Sequence, residues 1–191
     1  MKKILSLFLA LIMVFAMTAC GGKEAQETEG VPAEPMPASA LEVLETVWAA
    51  YGDDEKFPII GGSMTAPVDG APGAYDLADE NITFNLLIPA EQLANVTEAA
   101  SMIHMMNANS FTGAVYKLAG GVKAADFAAA MQTAIQGNQW MCGFPDQLLI
   151  SAHGDTYVLV AFGVNDAMNP FTEHFTAVHP GFETLVSEAI G

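Results

Sequence analysis

Six consecutive apolar residues, Tyr157 to Phe162, follow the turn-forming triplet His153-Gly154-Asp155. Successive side chains of a strand point to opposite faces, so this run is apolar on both faces and predicts a central, covered strand. A second apolar run, Leu148 to Ala152, precedes the same triplet, and the pair predicts a hairpin. Two further strand-like runs, 99–106 and 111–118, flank the polar turn Asn107-Ala108-Asn109. Between the two pairs, Val122 to Gln136 places Phe127, Ala130, Met131, Ala134 and Ile135 on one helical face, with Gly137 at the C′ position. The order β-β-α-β-β predicts an α+β two-layer sandwich: a small, mainly antiparallel sheet from 99–106, 111–118, 148–152 and 156–162, with helices packed on it.

The flanking segments are read locally. Ser39-Ala40-Leu41-Glu42 fits a capping box, and Leu41, Leu44, Val47, Trp48 and Tyr51 share a stripe that Gly52 closes. Asp53, Asp54 and Glu55 form an exposed turn without the spaced ligands of a calcium loop. Residues 57–75 carry four glycines and three prolines and predict a long loop, either a binding loop or a plain variable one. Residues 77–87 fit a short helix or a strand, and Pro89 to Leu93 reads as a helix start. Asn169-Pro170 predicts the start of a short helix. Pro180 predicts another, with Phe182, Leu185, Val186 and Ala189 facing the core.

The first residues set the location. Lys2 and Lys3 precede an apolar stretch that ends at Met17-Thr18-Ala19-Cys20, the three-part pattern of a secretory signal. Ile4 to Ala19 is shorter than the ~20 residues needed to span a bilayer. The final tetrapeptide resembles a bacterial lipobox. That resemblance implies cleavage between Ala19 and Cys20 and a diacylglyceryl thioether on Cys20, whose two chains hold the protein on the extracytoplasmic face of the cell membrane. The expected organisation is a signal peptide over 1–19, lipidated Cys20 with a proline-containing tether over 20–38, and a single α+β globular domain over 39–191.

All 22 acidic residues and only four of the six lysines follow Cys20, so the exported part carries a charge of −18. Arginine is absent. A nucleic-acid partner needs a cationic footprint, which this composition excludes. With Cys20 committed to lipid, Cys142 has no partner for an intramolecular disulfide.

The order of motifs from Met105-Met106-Asn107 to Phe162 includes Val115-Tyr116-Lys117, Trp140, Phe144-Pro145-Asp146-Gln147 and Gly154-Asp155-Thr156-Tyr157-Val158. It resembles an uncharacterised domain family of lipoproteins from Clostridia-type Firmicutes, over about a third of the chain. The neutral Ile135-Gln136-Gly137 and the cysteine at 142 depart from that pattern. The resemblance implies a fold and a location but no activity.

Chemistry-bearing residues are sparse. Cys142 with His153 contains the residue types of a thiol nucleophile and base, yet a buried apolar role is commoner for free cysteine. His174 and His179, with Glu173 and Glu183, form the one His/carboxylate cluster, at a spacing that does not share a helix face. Strand alternation puts Met102, His104 and Met106 on one face, a set of soft donors, and Met105 on the other. No nucleophile elbow, phosphate loop or dinucleotide pattern occurs. No catalytic, cofactor-binding or metal residue is therefore assigned. The expected function is a non-catalytic module that binds an envelope protein or peptide. The other reading is a small-ligand or metal-binding lipoprotein serving a transporter, and a pocket lined by the 57–75 loop and His104 distinguishes the two.

Overall fold

The computed structural model describes residues 35–190, whose elements all belong to one compact unit. The signal peptide, Ala19, Cys20 and most of the tether lie outside the described residues; Pro35 to Ala38 has no regular secondary structure. Helix α1 spans Ala40–Ala50. Three short strands follow, β1 (Ile59–Gly61), β2 (Val68–Asp69) and β3 (Gly73–Tyr75). After the short helix α2 (Ile82–Asn85) and a 3-10 turn (Ala90–Asn95) come β4 (Val96–His104) and β5 (Phe111–Leu118). Helix α3 (Ala124–Gln136), strands β6 (Gln147–His153) and β7 (Tyr157–Gly163), helix α4 (Asn165–Val178) and strand β8 (Glu183–Ala189) complete the chain. The eight strands form one antiparallel sheet in the order β2-β1-β4-β5-β7-β6-β8, with β3 also on β4. The class is α+β.

Strand β7 is buried at every position, because both of its faces are covered. Leu159 and Ala161 join Val47, Trp48, Phe171 and Phe175 in a core under α1 and α4. Val158, Val160 and Phe162 join Phe127, Met131 and Ile135 in a second core under α3. Helices on both faces make three layers, which corrects the two-layer expectation. In β4, a bulge between Val96 and Glu98 shifts the alternation, so that Val96 and Ala99 share the α3 face despite their odd spacing.

Capping at α1 follows the predicted box with one change. Ser39 Oγ accepts from the Glu42 N–H at 3.1 Å, whereas the Glu42 carboxylate accepts from Ala38 N–H. The 57–75 segment is not one continuous loop: it carries β1, β2 and β3 between turns. Strands β1 and β3 lie end to end on one edge of β4, and a Cβ on Gly61 would sit 2.2 Å from Gly73 N. Gly61 and Gly73 are there because two strand ends abut, whereas Gly62 and Gly70 hold positive φ.

Two helix expectations change. Helix α4 starts at Asn165, whose N–H donates to Asp146 Oδ2 at 2.8 Å, and Pro170 is inside it. An interior proline costs about 3 kcal/mol. Burying Met168, Phe171 and Phe175 contributes roughly 2 kcal/mol each and wins. The segment after Pro180 is the edge strand β8 rather than a helix. The expected core stripe of Phe182, Leu185, Val186 and Ala189 does not form: Phe182 joins the core under α1 and α4, Val186 packs toward the α3 core, and Leu185 and Ala189 are exposed.

Candidate functional site

At the end of the sheet where β4 stops and β5 begins, the chain turns through Met105 to Ser110. Asn107 shapes this turn: its Oδ1 accepts from Asn109 N–H at 3.0 Å and its carbonyl from Ser110 N–H at 2.9 Å. Its Nδ2 donates to Cys142 O at 2.9 Å, and Asn109 Nδ2 donates to Met141 O at 2.7 Å and to Gly143 O at 2.9 Å. Two asparagines thereby hold the loop ahead of β6. Cys142 occupies a left-handed conformation at φ 63°, which costs about 1–2 kcal/mol and is offset by these bonds.

Asp79 holds the opposite wall. It is buried, its Oδ2 accepts from Met64 N–H at 2.9 Å, and its Oδ1 accepts from the backbone and side-chain N–H groups of Asn81, both at 2.9 Å. The Asn81 N–H, foremost among these donors, keeps the Asp79 carboxyl below the usual carboxylate range against the opposing effect of desolvation. The carboxylate thus ties the Ser63–Thr65 turn to the start of α2.

On this fixed backbone six large apolar side chains face solvent: Met64 (68% exposed), Phe84 (81%), Met105 (45%), Met106 (81%), Met141 (79%) and Phe144 (72%). Two cavities of about 200 Å³ each lie among them and share Asn85 and Ala108 in their walls. One is lined by Ile60, Met64, Pro67, His104, Met105 and Met106, the other by Phe84, Leu87, Trp140, Met141 and Phe162. Each is below the ~300 Å³ at which drug-sized ligand sites begin. A wider, open depression of about 560 Å³ between Leu87–Glu91 and α3 has Glu91 as its sole ionisable lining residue.

The cavity at the 57–75 segment and His104 is therefore present, and it is small. Of the soft donors, Met102 is fully buried in the α1 core, and the alternation stops at His104, where β4 ends. Met105, expected on the opposite face, lines the same cavity as His104 and Met106 because a turn does not alternate. His174 and His179 are not brought together: His174 Nε2 lies 3.4 Å from Glu55 against the Tyr51 ring, and buried His179 places Nε2 3.0 Å from Val43 O. Cys142 is free and exposed rather than a buried core residue. It precedes β6 while His153 ends it, roughly 20 Å of strand away, so no thiol–imidazole pair forms. Among the described residues no three His, Cys, Asp or Glu side chains converge. No helix among them is long and apolar enough to cross a membrane. Asn107 and Asn109 were legible as a polar turn but not as the residues that hold the loop ahead of β6, and Asp79 escaped notice although Asx side chains beside turns were a usable signal.

Family models, curated proteins and solved structures yield no match to this chain.

Proposed function

We propose that the chain is an extracytoplasmic lipoprotein, lipidated at Cys20 after cleavage behind Ala19, whose folded domain is a non-catalytic binding module. The carrying observation is the grouping of Met64, Phe84, Met105, Met106, Met141 and Phe144 at one end of the sheet, on turns and the short helix α2 held by Asp79, Asn107 and Asn109. Singly exposed apolar residues are ordinary, whereas a contiguous group of them marks an interaction surface. Methionine adapts to varied partners because it is unbranched and polarisable. The partner is an envelope protein or peptide with an apolar segment. The proposal retains the resemblance to Clostridia-type lipoproteins and takes the β-β-α-β-β run from β4 to β7 as the central unit of the fold.

A photo-crosslinking residue at Phe84 or Phe144, in cells, tests the surface. One defined adduct is expected from these positions and none from Thr156, at the far end of the sheet. Equal labelling at all three overturns the reading. Cys20→Ala should release the protein from the membrane fraction, and retention there removes the anchor.

A further inference from the structure

The cavity beside β1 gathers three thioethers and one imidazole from two separate stretches of chain. Met64 comes from the turn tied down by Asp79, and His104, Met105 and Met106 come from the end of β4. We propose that these four residues form a binding site for a soft monovalent cation of the copper(I) and silver(I) class. The inference goes beyond the partner-binding reading, and its test measures metal uptake alone.

Three features support it. The first is donor chemistry: thioethers and imidazole suit Cu(I), whereas structural zinc prefers thiolate or several imidazole ligands, and magnesium or calcium prefers carboxylates. The second is charge. No Asp, Glu, Lys or Arg lines the cavity, so it offers thioethers and an imidazole and no carboxylate to favour a hard dication. The chain as a whole carries −16, which draws cations toward it without placing a hard ligand in the site. The third is size: about 200 Å³ is small for an organic ligand yet ample for one ion.

The histidine is oriented in advance. Its ring stacks on Phe57 at 5.8 Å and 14°, and its Nδ1 accepts from Met106 N–H at 3.2 Å. That bond keeps the lone pair on Nδ1, on the side of the 105–106 turn. A metal takes this lone pair in exchange for one exposed backbone hydrogen bond, which water replaces. Met64 and Met106 project into solvent and reach the ion by rotating about flexible side-chain bonds, with no rearrangement of the core.

The full chain in detergent micelles, with Cys20→Ser and Cys142→Ser to remove both thiols, is titrated anaerobically with Cu(I) against a chromophoric chelator. One equivalent is expected to bind. Silver(I), which is redox-inert, is then followed through methyl signals: those of Met64, Met105 and Met106 should shift together with the His104 ring, while those of Met36 and Met141 stay in place. Met64→Leu/Met106→Leu keeps the apolar volume at exposed positions and should weaken Cu(I) binding at least tenfold, with an unchanged circular dichroism spectrum. His104→Asn should do the same. Absence of stoichiometric uptake, undiminished binding by the leucine variant, equal shifts at every exposed methionine, or displacement by equimolar zinc would each overturn the site.

Discussion

The two ends of the sheet are closed by turns but finished in opposite ways. Phe111 pairs with Gly163 and Gln147 with the same residue, so the 105–110 turn and the loop ahead of β6 lie together at one end. Lys117 and His153 pair with Tyr157 at the other. There the hairpin turn is finished by charge: Asp155 accepts from Lys123 Nζ at 2.8 Å and from Ala124 N–H at 3.0 Å, which also caps α3. Among the described residues, only Leu185 stands out as a large exposed apolar residue in that neighbourhood. At the first end, the polar groups Asp79, Asn107 and Asn109 are turned inward onto backbone, and methionines and phenylalanines are left outside. A surface meant only for solvent is finished like the second end. The first end uses its hydrogen bonds to hold apolar groups in water, which stability alone does not favour.

The largest expected effect comes from an identical substitution made at each end. Gly163→Ala puts a Cβ 2.4 Å from Ser110 O and 2.9 Å from Phe111 Cα, both backbone atoms that cannot swing aside. It should cost about 3 kcal/mol and lower the thermal midpoint by roughly 10 °C. Gly154→Ala meets nothing within 4 Å and strains only its φ of 55°, for about 1 kcal/mol. Equal losses by calorimetry would break the contrast.

Next in size is Asn109→Ala, which frees the Met141 and Gly143 carbonyls. Roughly 1 kcal/mol should be lost, with faster amide exchange confined to the loop ahead of β6. Exchange unchanged in that loop would show that Asn107 alone holds it.

Acid separates the ends more gently. The carboxyls of Asp79 and Asp155 are both held low when folded, the first chiefly by the Asn81 N–H and the second chiefly by Lys123. Each therefore contributes stability that is complete above the unfolded value of about 4 and is lost as pH falls through its lowered folded value. Asp79→Asn and Asp155→Asn should each flatten the fall of the thermal midpoint in that acid range. Added salt should diminish the effect of Asp155→Asn more, because its chief partner is an exposed lysine. The same salt response in both variants would contradict the difference. The smallest change in stability, within about 0.5 kcal/mol, is expected for Phe84→Ser or Met106→Ser. These variants should nonetheless lose the cross-linked partner.

Much of the fold was legible in local pattern. The strand at 111–118, the hairpin around Gly154, the helix opened by Ser39 and the helix ending before Gly137 each declare themselves through periodicity or a cap within their own residues. Strands β1, β2 and β3 do not, because two or three residues carry no period, and only pairing with β4 or with one another makes them strands. Strand β8 was misread because the spacing of Phe182, Leu185, Val186 and Ala189 fits a helix stripe, whereas pairing with β6 makes the segment a strand. The candidate site was half legible. His104, Met105 and Met106 were visible as a soft-donor run, while Met64 joins them through a turn 40 residues earlier that depends on buried Asp79.

By itself the sequence determined the class of fold, the central place of Tyr157 to Phe162 and the expectation of a lipid anchor at Cys20, since these follow from properties of short contiguous segments. Tertiary structure decided the rest: the covering of both sheet faces, the edge strands, the burial of Met102 and the exposure of its neighbours. Those outcomes rest on contacts between residues distant in the chain. No local pattern encodes them, because the free energy that selects them appears only when the pieces meet.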